Sequence, residues 1–244
     1  MHPVICKIGP FTVYSYGLML AIAFGVCLFL LKREAARQGF KSSQIADLAF
    51  WVLVFGLLGA RIFYILFNFQ FYIENPREII MLSHGGLIWY GGLFSALIFA
   101  AAFLKAKKLP LLSTLDLFAP FLAFGQALGR IGCFLNGCCY GKPVSWGVYF
   151  PVHGERLHPT QIYSAFNLLI IFLVLRALQK KSSRPGQVLF LYLLLAPLER
   201  FIVEFYRGDS TQIFSGLTGF QLISLVIMAI ALYANLYFYC RKRR

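Results

Sequence analysis

Apolar residues in this chain gather into long runs instead of the short alternations of soluble strands and helices. Seven runs occupy 11–31, 45–69, 86–104, 111–129, 161–178, 187–206 and 217–239. One bilayer crossing takes roughly 20 apolar residues, so the pattern predicts seven transmembrane helices. The first run is too long for the apolar core of a signal peptide and is preceded by a single basic residue, Lys7, so it is read as an uncleaved span. The fourth run is the weakest, carrying Asp116, Pro120, Gly125 and Gln126. The sixth ends in LERFIVEFYRGD, which is heavily charged for a lipid environment.

Composition narrows the class. The chain is 59% hydrophobic and 13% charged, with a mean hydropathy of +0.72. A soluble domain carries about 25% charged residues, so neither a soluble globular protein nor a disordered one fits. The net charge of +14 suggests nucleic acid at first sight. Sorting the charges by loop removes that reading. Fifteen of the 23 Lys and Arg fall after runs one, three, five and seven or, for Arg176, in the last turn of run five, on one side of the membrane. The positive-inside rule makes that side cytoplasmic. The N-terminus is then outside, the C-terminus inside, and no nucleic-acid partner is needed. The fold class expected is an all-α polytopic membrane protein forming a single domain, 1–244. A small extracytoplasmic insert is expected at about 130–160, where SWGVYF reads as a short strand.

The other eight basic residues are Lys7, Arg61, Arg77, Arg130, Lys142, Arg156, Arg200 and Arg207, all on the outer side or in spans that reach it. A charge within a span costs on the order of 3 kcal/mol. Each Arg alone can be an interface anchor. Together they point to an anionic ligand, because the planar guanidinium fork matches phosphate.

Four segments can carry chemistry. In SHGGLIWYGG, His84 is either a solvated helix cap or a general base suited to neutral pH. The neighbouring glycine pairs allow close approach of a ligand or another helix. Around 130–141, Arg130, Asn136 and Tyr140 sit in a glycine-punctuated stretch that suits a tight turn and an anion cradle. Cys133, Cys138 and Cys139 lie there too. Their spacing is no standard zinc pattern, because a fourth ligand is missing; one disulfide with a spare thiol, or three small buried thiols, both fit. In LHPTQIYS, Thr160 stands at a helix N-cap position and His158 has a structural role. Arg200, Glu204 and Arg207 have i, i+4, i+7 spacing and so share a helical face, with Arg207 one turn nearer water and the more exposed of the two arginines.

Taken in order, YSYGLML, GARIFYILF, SHGGLI, GRIGCFLNGCCYG, HPTQIYSA and RFIVEFYRGD give the chain a resemblance running nearly end to end. It resembles the bacterial phosphatidylglycerol–prolipoprotein diacylglyceryl transferases. The resemblance implies transfer of a diacylglyceryl group from phosphatidylglycerol to the lipobox Cys thiol of prolipoprotein signal peptides, the first step of lipoprotein maturation. Glycerol 1-phosphate is the second product. It implies a multi-pass protein of the bacterial inner membrane, surrounded by membrane lipids, with no metal and no organic cofactor. Carried over by motif, His84, Arg200 and Tyr16 are the catalytic residues. Arg130, Arg61, Glu204, Arg207, Asn136 and Gly141 bind phosphatidylglycerol. The chain departs from the usual GRxGNFxNxExxG signature: Cys133 replaces the first Asn and Cys138 the Glu, and Ser164 stands where an acid is common. The thiols are not expected to act as nucleophiles, since the acceptor brings its own. Two other functions share the Arg-lined site: an anionic-lipid transporter or flippase, and a non-catalytic lipid-binding protein. The lack of an inverted repeat counts against the first.

Overall fold

The computed structural model describes residues 1–8, 11–79, 81, 85–181, 184–214 and 216–241. These fold into eight helices and three two-stranded antiparallel hairpins. The hairpin β1 (Val4–Ile8) with β2 (Phe11–Tyr14) leads into α1 (Ser15–Arg37) and α2 (Ser42–Phe67). A short α3 (Phe69–Glu74) and a 3-10 turn follow, then α4 (Trp89–Ala106) and α5 (Leu111–Asn136). The hairpin β3 (Pro143–Phe150) with β4 (Glu155–Leu157) precedes α6 (Thr160–Lys181) and α7 (Gln187–Glu204). The last hairpin, β5 (Gln212–Phe214) with β6 (Leu217–Thr218), leads into α8 (Gly219–Arg241).

Six helices, α1, α2, α4, α5, α6 and α8, are long and apolar enough to cross a membrane. The predicted sixth run forms α7, but Glu199, Arg200 and Glu204 fall within its 18 residues and set it apart from these six. The strand expected at SWGVYF is present within β3. One boundary is corrected: α5 continues to Asn136, seven residues past the predicted end of the fourth run. Arg130 and Cys133 are therefore on a helix, and the turn begins only at Gly137. Gly129 and Gly132 do not break α5. A Cβ on Gly132 would stand 3.0 Å from Met19 Cβ and 3.3 Å from Tyr16, so this glycine admits α1 against α5.

The chain divides into two compact units. In the unit Lys32–Leu111, α2 and α4 meet along a seam of small residues. A Cβ on Gly59 would lie 2.0 Å from Ser95 Oγ, and one on Gly91 would lie 2.5 Å from Phe63 Cβ. No other residue type fits there. Between helices already in lipid, such close backbone approach supplies the packing that hydrophobicity cannot.

The other unit comprises Met1–Leu31 and Leu112–Arg244. Here α5 is the most enclosed helix: 44% of its span is buried, against 11–28% for the other five. Ala119, Ala123 and Ala127 recur every four residues and pack with Leu168, Ile171 and Leu175 of α6 and Val188 and Tyr192 of α7. Asp116, which weakened the fourth run, has a clear task. Its Oδ2 accepts from Gly186 N at 2.6 Å and its Oδ1 from Leu189 N at 2.7 Å. It caps the first turn of α7 from a neighbouring helix, satisfying amides that otherwise have no partner. Asp116→Ala is expected to cost about 1–2 kcal/mol of stability, seen as a lower melting temperature of the detergent-solubilised protein, with Asp116→Asn falling between.

Candidate active site

Three backbone crossings build the site. Gly141 and Arg207 form an isolated antiparallel bridge. Around it, Gly141 N donates to His158 O at 2.9 Å, Lys142 N to Tyr206 O at 2.9 Å, and Gly208 N to Tyr140 O at 3.2 Å. The loop after α5, the start of α6 and the end of α7 thus meet at one point. A Cβ on Gly141 would stand 2.4 Å from His158 Cβ and 2.7 Å from Tyr206 O; one on Gly208 would stand 2.8 Å from Gly141 O. Gly141 is a knot of the scaffold. Gly141→Ala should separate these three chains and destabilise the site. A loss of activity together with a lowered melting temperature is the expected result, and an unchanged melting temperature would contradict it.

This bridge corrects the reading of Arg207. The helix α7 stops at Glu204 and turns through Phe205 and Tyr206, because the chain leaves the helix to pair with Gly141. Arg207 does not extend the helical face of Arg200 and Glu204. Nor is it the more exposed arginine: its side chain is 9% exposed and that of Arg200 18%. Asp209 grips it from two atoms, Nε to Oδ1 at 2.9 Å and Nη2 to Oδ2 at 2.7 Å.

Glu204 ties the cluster together. Its fully buried carboxylate pairs with Arg200 Nη2 at 2.8 Å and lies 3.7 Å from Arg207 Nε. The hydroxyl of Thr218 donates to it at 3.0 Å. Thr218 in turn is fixed by a reciprocal cap at the start of α8: Thr218 N donates to Gln221 Oε1, and Gln221 N to Thr218 Oγ1. This Thr-x-x-Gln pattern was readable in the sequence as a capping box, though its link to Glu204 was not. Arg200 also stacks over Phe220, 4.5 Å from the ring centre. Its Nη1 is buried and has no hydrogen-bond partner among the described residues. A buried, unpaired cationic donor is costly, and this one is free for an anion.

Arg130, on α5, closes no ion pair among the described residues. Its charge acts on Tyr16, Cys139, Glu199 and Arg200, which places these groups in one neighbourhood. Glu199 escaped the sequence reading. It is buried beside Arg200, takes a hydrogen bond from the Ser164 side chain, and keeps Oε1 without a partner. Its acid stands close to Ser164, the position where the usual motif carries one.

The thiol segment folds back on itself. Gly137 and Cys139 both have left-handed backbones, at φ +79° and +63°. Such a φ is uncommon outside glycine. Two side chains of α6 hold it: Thr160 Oγ1 donates to Cys139 O at 2.7 Å and Gln161 Nε2 to Cys138 O at 2.7 Å. The expected N-cap residue Thr160 therefore directs its hydroxyl to the thiol loop, because α6 begins directly beneath it. Asn136 hydrogen-bonds to the Cys138 side chain. Cys133, Cys138 and Cys139 are all free thiols, with Sγ atoms within 4.8 Å of one another. Hydrogen bonds from Cys133 and Cys138, then the charges of Arg207 and Arg130, hold the Cys139 thiol below the ordinary thiol range. His158, 3.1 Å from the Tyr163 hydroxyl, packs on Trp146 and Tyr206.

In the unit Lys32–Leu111, Arg61 is 7% exposed. Its five N–H groups all donate to backbone: Nε to Ile79 O, Nη1 to Gly85 O and Gly86 O, and Nη2 to Glu78 O and Met81 O. His84 lies outside the described residues; the bonds of Arg61 hold both flanks of its segment. Gly85 and Gly86 have φ of +81° and +83°, which only glycine takes readily.

Residues 3–237 match the sequence model of the prolipoprotein diacylglyceryl transferases. The chain belongs to that family. Three similar relatives all carry the name phosphatidylglycerol–prolipoprotein diacylglyceryl transferase. The protein from Clostridium tetani is 35% identical, over 96% of this chain and 96% of its own length. That from Lysinibacillus sphaericus is 31% identical over 97% and 92%, and that from Staphylococcus aureus strain MSSA476 is 30% identical over 95% and 87%. The matched stretch of this diacylglyceryl transferase family member contains every site residue named above.

Proposed function

We propose that this chain transfers the diacylglyceryl group of phosphatidylglycerol to the thiol of a prolipoprotein lipobox cysteine, the first step of lipoprotein maturation. The observation that carries the reading is the spare donor of Arg200, buried within the Arg200–Glu204–Arg207 cluster and near Arg130, in a chain of this family. The acceptor thiol is deprotonated, and His84 is the base proposed for it. The sulfur attacks the glycerol carbon that carries the phosphate. The carbon–oxygen bond breaks, and its electron pair leaves on the phosphate of glycerol 1-phosphate. Arg200 and Arg130 stabilise the charge that develops there. Glu204 orients Arg200, and Arg207 with Asp209 closes the wall behind it. Tyr16, in the first turn of α1, orients the head group in this reading, and Asn136 and Gly141 shape the loop that receives it. Arg61 positions the His84 segment.

In this reading α7 also crosses the membrane, sixth in chain order, which gives a bacterial inner-membrane protein seven spans with the N-terminus outside, and the whole chain works as one catalytic domain. Acyl chains of the donor remain in lipid. A reporter fused after Arg244 should be active only in its cytoplasmic form, and one inserted near Ser145 only in its extracytoplasmic form. The reverse at either site overturns the orientation. The activity itself is tested by incubating purified protein with phosphatidylglycerol and a lipobox peptide. A thioether-linked peptide and free glycerol phosphate, both seen by mass spectrometry, are expected. Binding of the lipid without either product would leave a lipid-binding protein or a transporter.

A further inference from the structure

Three thiols meet inside the site, and the transfer reaction as written gives none of them a task. Their mutual separation, within 4.8 Å, is close to what one ion requires. Zinc bound to sulfur at about 2.3 Å places neighbouring sulfurs about 3.8 Å apart. Small side-chain rotations bring Cys133, Cys138 and Cys139 to that spacing. The arrangement is also built, not incidental. Cys139 holds a left-handed backbone, and Thr160 and Gln161 clamp the carbonyls of Cys139 and Cys138. Strain kept in place by its surroundings gathers at functional sites. Among the described residues no fourth His, Cys, Asp or Glu joins the group. A structural zinc site is closed by four protein ligands, whereas a catalytic one has three and an open position.

We propose that Cys133, Cys138 and Cys139 bind one soft d10 cation of the zinc type, and that its open position takes the acceptor cysteine of the prolipoprotein as a thiolate. The proposal rests on the transferase reading above. It also gives the two signature replacements a shared purpose, since Cys133 and Cys138 stand where the usual pattern has Asn and Glu. A free thiol is only a few per cent thiolate at neutral pH, while a thiol on a metal is deprotonated outright. The step balances without any redox change. The acceptor S–H bond breaks, its proton passes to the base, and a sulfur–metal bond forms. That sulfur then bonds to the glycerol carbon as the carbon–oxygen bond to phosphate breaks and the phosphate leaves with the electron pair. Four thiolates on a divalent ion carry a net double negative charge. The charges of Arg207 and Arg130, which act on Cys139, offset it.

The test uses the full-length protein in detergent, reduced and kept anaerobic, with cadmium as the probe. One equivalent should bind and give a sulfur-to-cadmium charge-transfer absorption. A lipobox peptide should raise that absorption by about a third as a fourth sulfur joins three, and a peptide with serine in place of the cysteine should not. Cys139→Ser should weaken cadmium binding at least about tenfold. In turnover assays, stripping metal with a chelator should slow thioether formation on the order of 30-fold, the inverse of the free thiolate fraction, and zinc should restore it. A wild-type protein with no charge-transfer absorption overturns the proposal. So does full turnover by protein that elemental analysis finds metal-free, or a disulfide between two of these cysteines in protein purified without reductant. A cadmium absorption that grows with peptide, but no thioether with any metal, keeps the metal site and removes the transferase reading.

Discussion

Arg200→Lys is expected to slow transfer on the order of 10²-fold at saturating phosphatidylglycerol, and Arg130→Lys nearly as much. Losing one well-placed donor to a developing oxyanion typically has an effect of this size. Lysine keeps the charge but not the two-pronged fork. At Arg200 the loss is sharper than charge counting suggests. Wild-type Arg200 satisfies Glu204 with Nη2 and still presents a buried, unpartnered Nη1. A lysine has a single ammonium, and the buried Glu204 carboxylate 2.8 Å away would claim it. Arg207 should be less sensitive for a different reason: Asp209 already holds it from two atoms, so its contribution is chiefly to hold the scaffold. The measurement is initial rate against phosphatidylglycerol concentration for each variant. Wild-type rates for both Arg130→Lys and Arg200→Lys at saturating lipid would make these arginines interface anchors.

Much of this site was legible because charges are so unusual in lipid. Arg130, Arg200 and Glu204 drew notice from the apolar runs around them, and in the structure the charge of Arg130 acts on Arg200. The Gly91–Gly92 pair was read as a close approach to a ligand or a helix, and it proved to be the helix seam. Other features were hidden for physical reasons. Spacing placed Arg207 on the helical face of Glu204, but the turn that ends α7 is decided by a long-range bridge to Gly141, which no local pattern records. The end of α5 was set seven residues early because Gly129 and Gly132 look like breakers; tight packing against α1 keeps them helical. Asp116 looked like a weakness in a span and is a cap for a helix seventy residues away. Thr160 was expected at the N-cap, but it is the first residue of α6 and its hydroxyl serves the thiol loop. In each case the deciding contact came from a different element.

His84→Ala is expected to abolish transfer, with a loss on the order of 10²-fold or more in kcat and little change in the dependence on phosphatidylglycerol. The reason is chemical. A base acts on the acceptor's proton, whereas lipid affinity belongs to the arginines. The pH profile gives the sign. The base must be neutral, so wild-type turnover should fall as pH drops and the imidazole takes up a proton, and the residual activity of His84→Ala should lack that limb. Arg61→Ala supplies the companion measurement. Its guanidinium meets five carbonyls between Glu78 and Gly86, so removing it frees both flanks of His84 without removing the imidazole. Turnover should fall while the acid limb persists, because the same base titrates from a less ordered segment. Arg61→Lys should rescue little, since three ammonium donors cannot serve five acceptors spread around a planar fork. If instead Arg61→Ala raised the phosphatidylglycerol concentration needed for half-maximal rate and left kcat unchanged, Arg61 would bind the donor's phosphate as the resemblance implies. Near-normal turnover in His84→Ala would mean that another group takes the acceptor's proton.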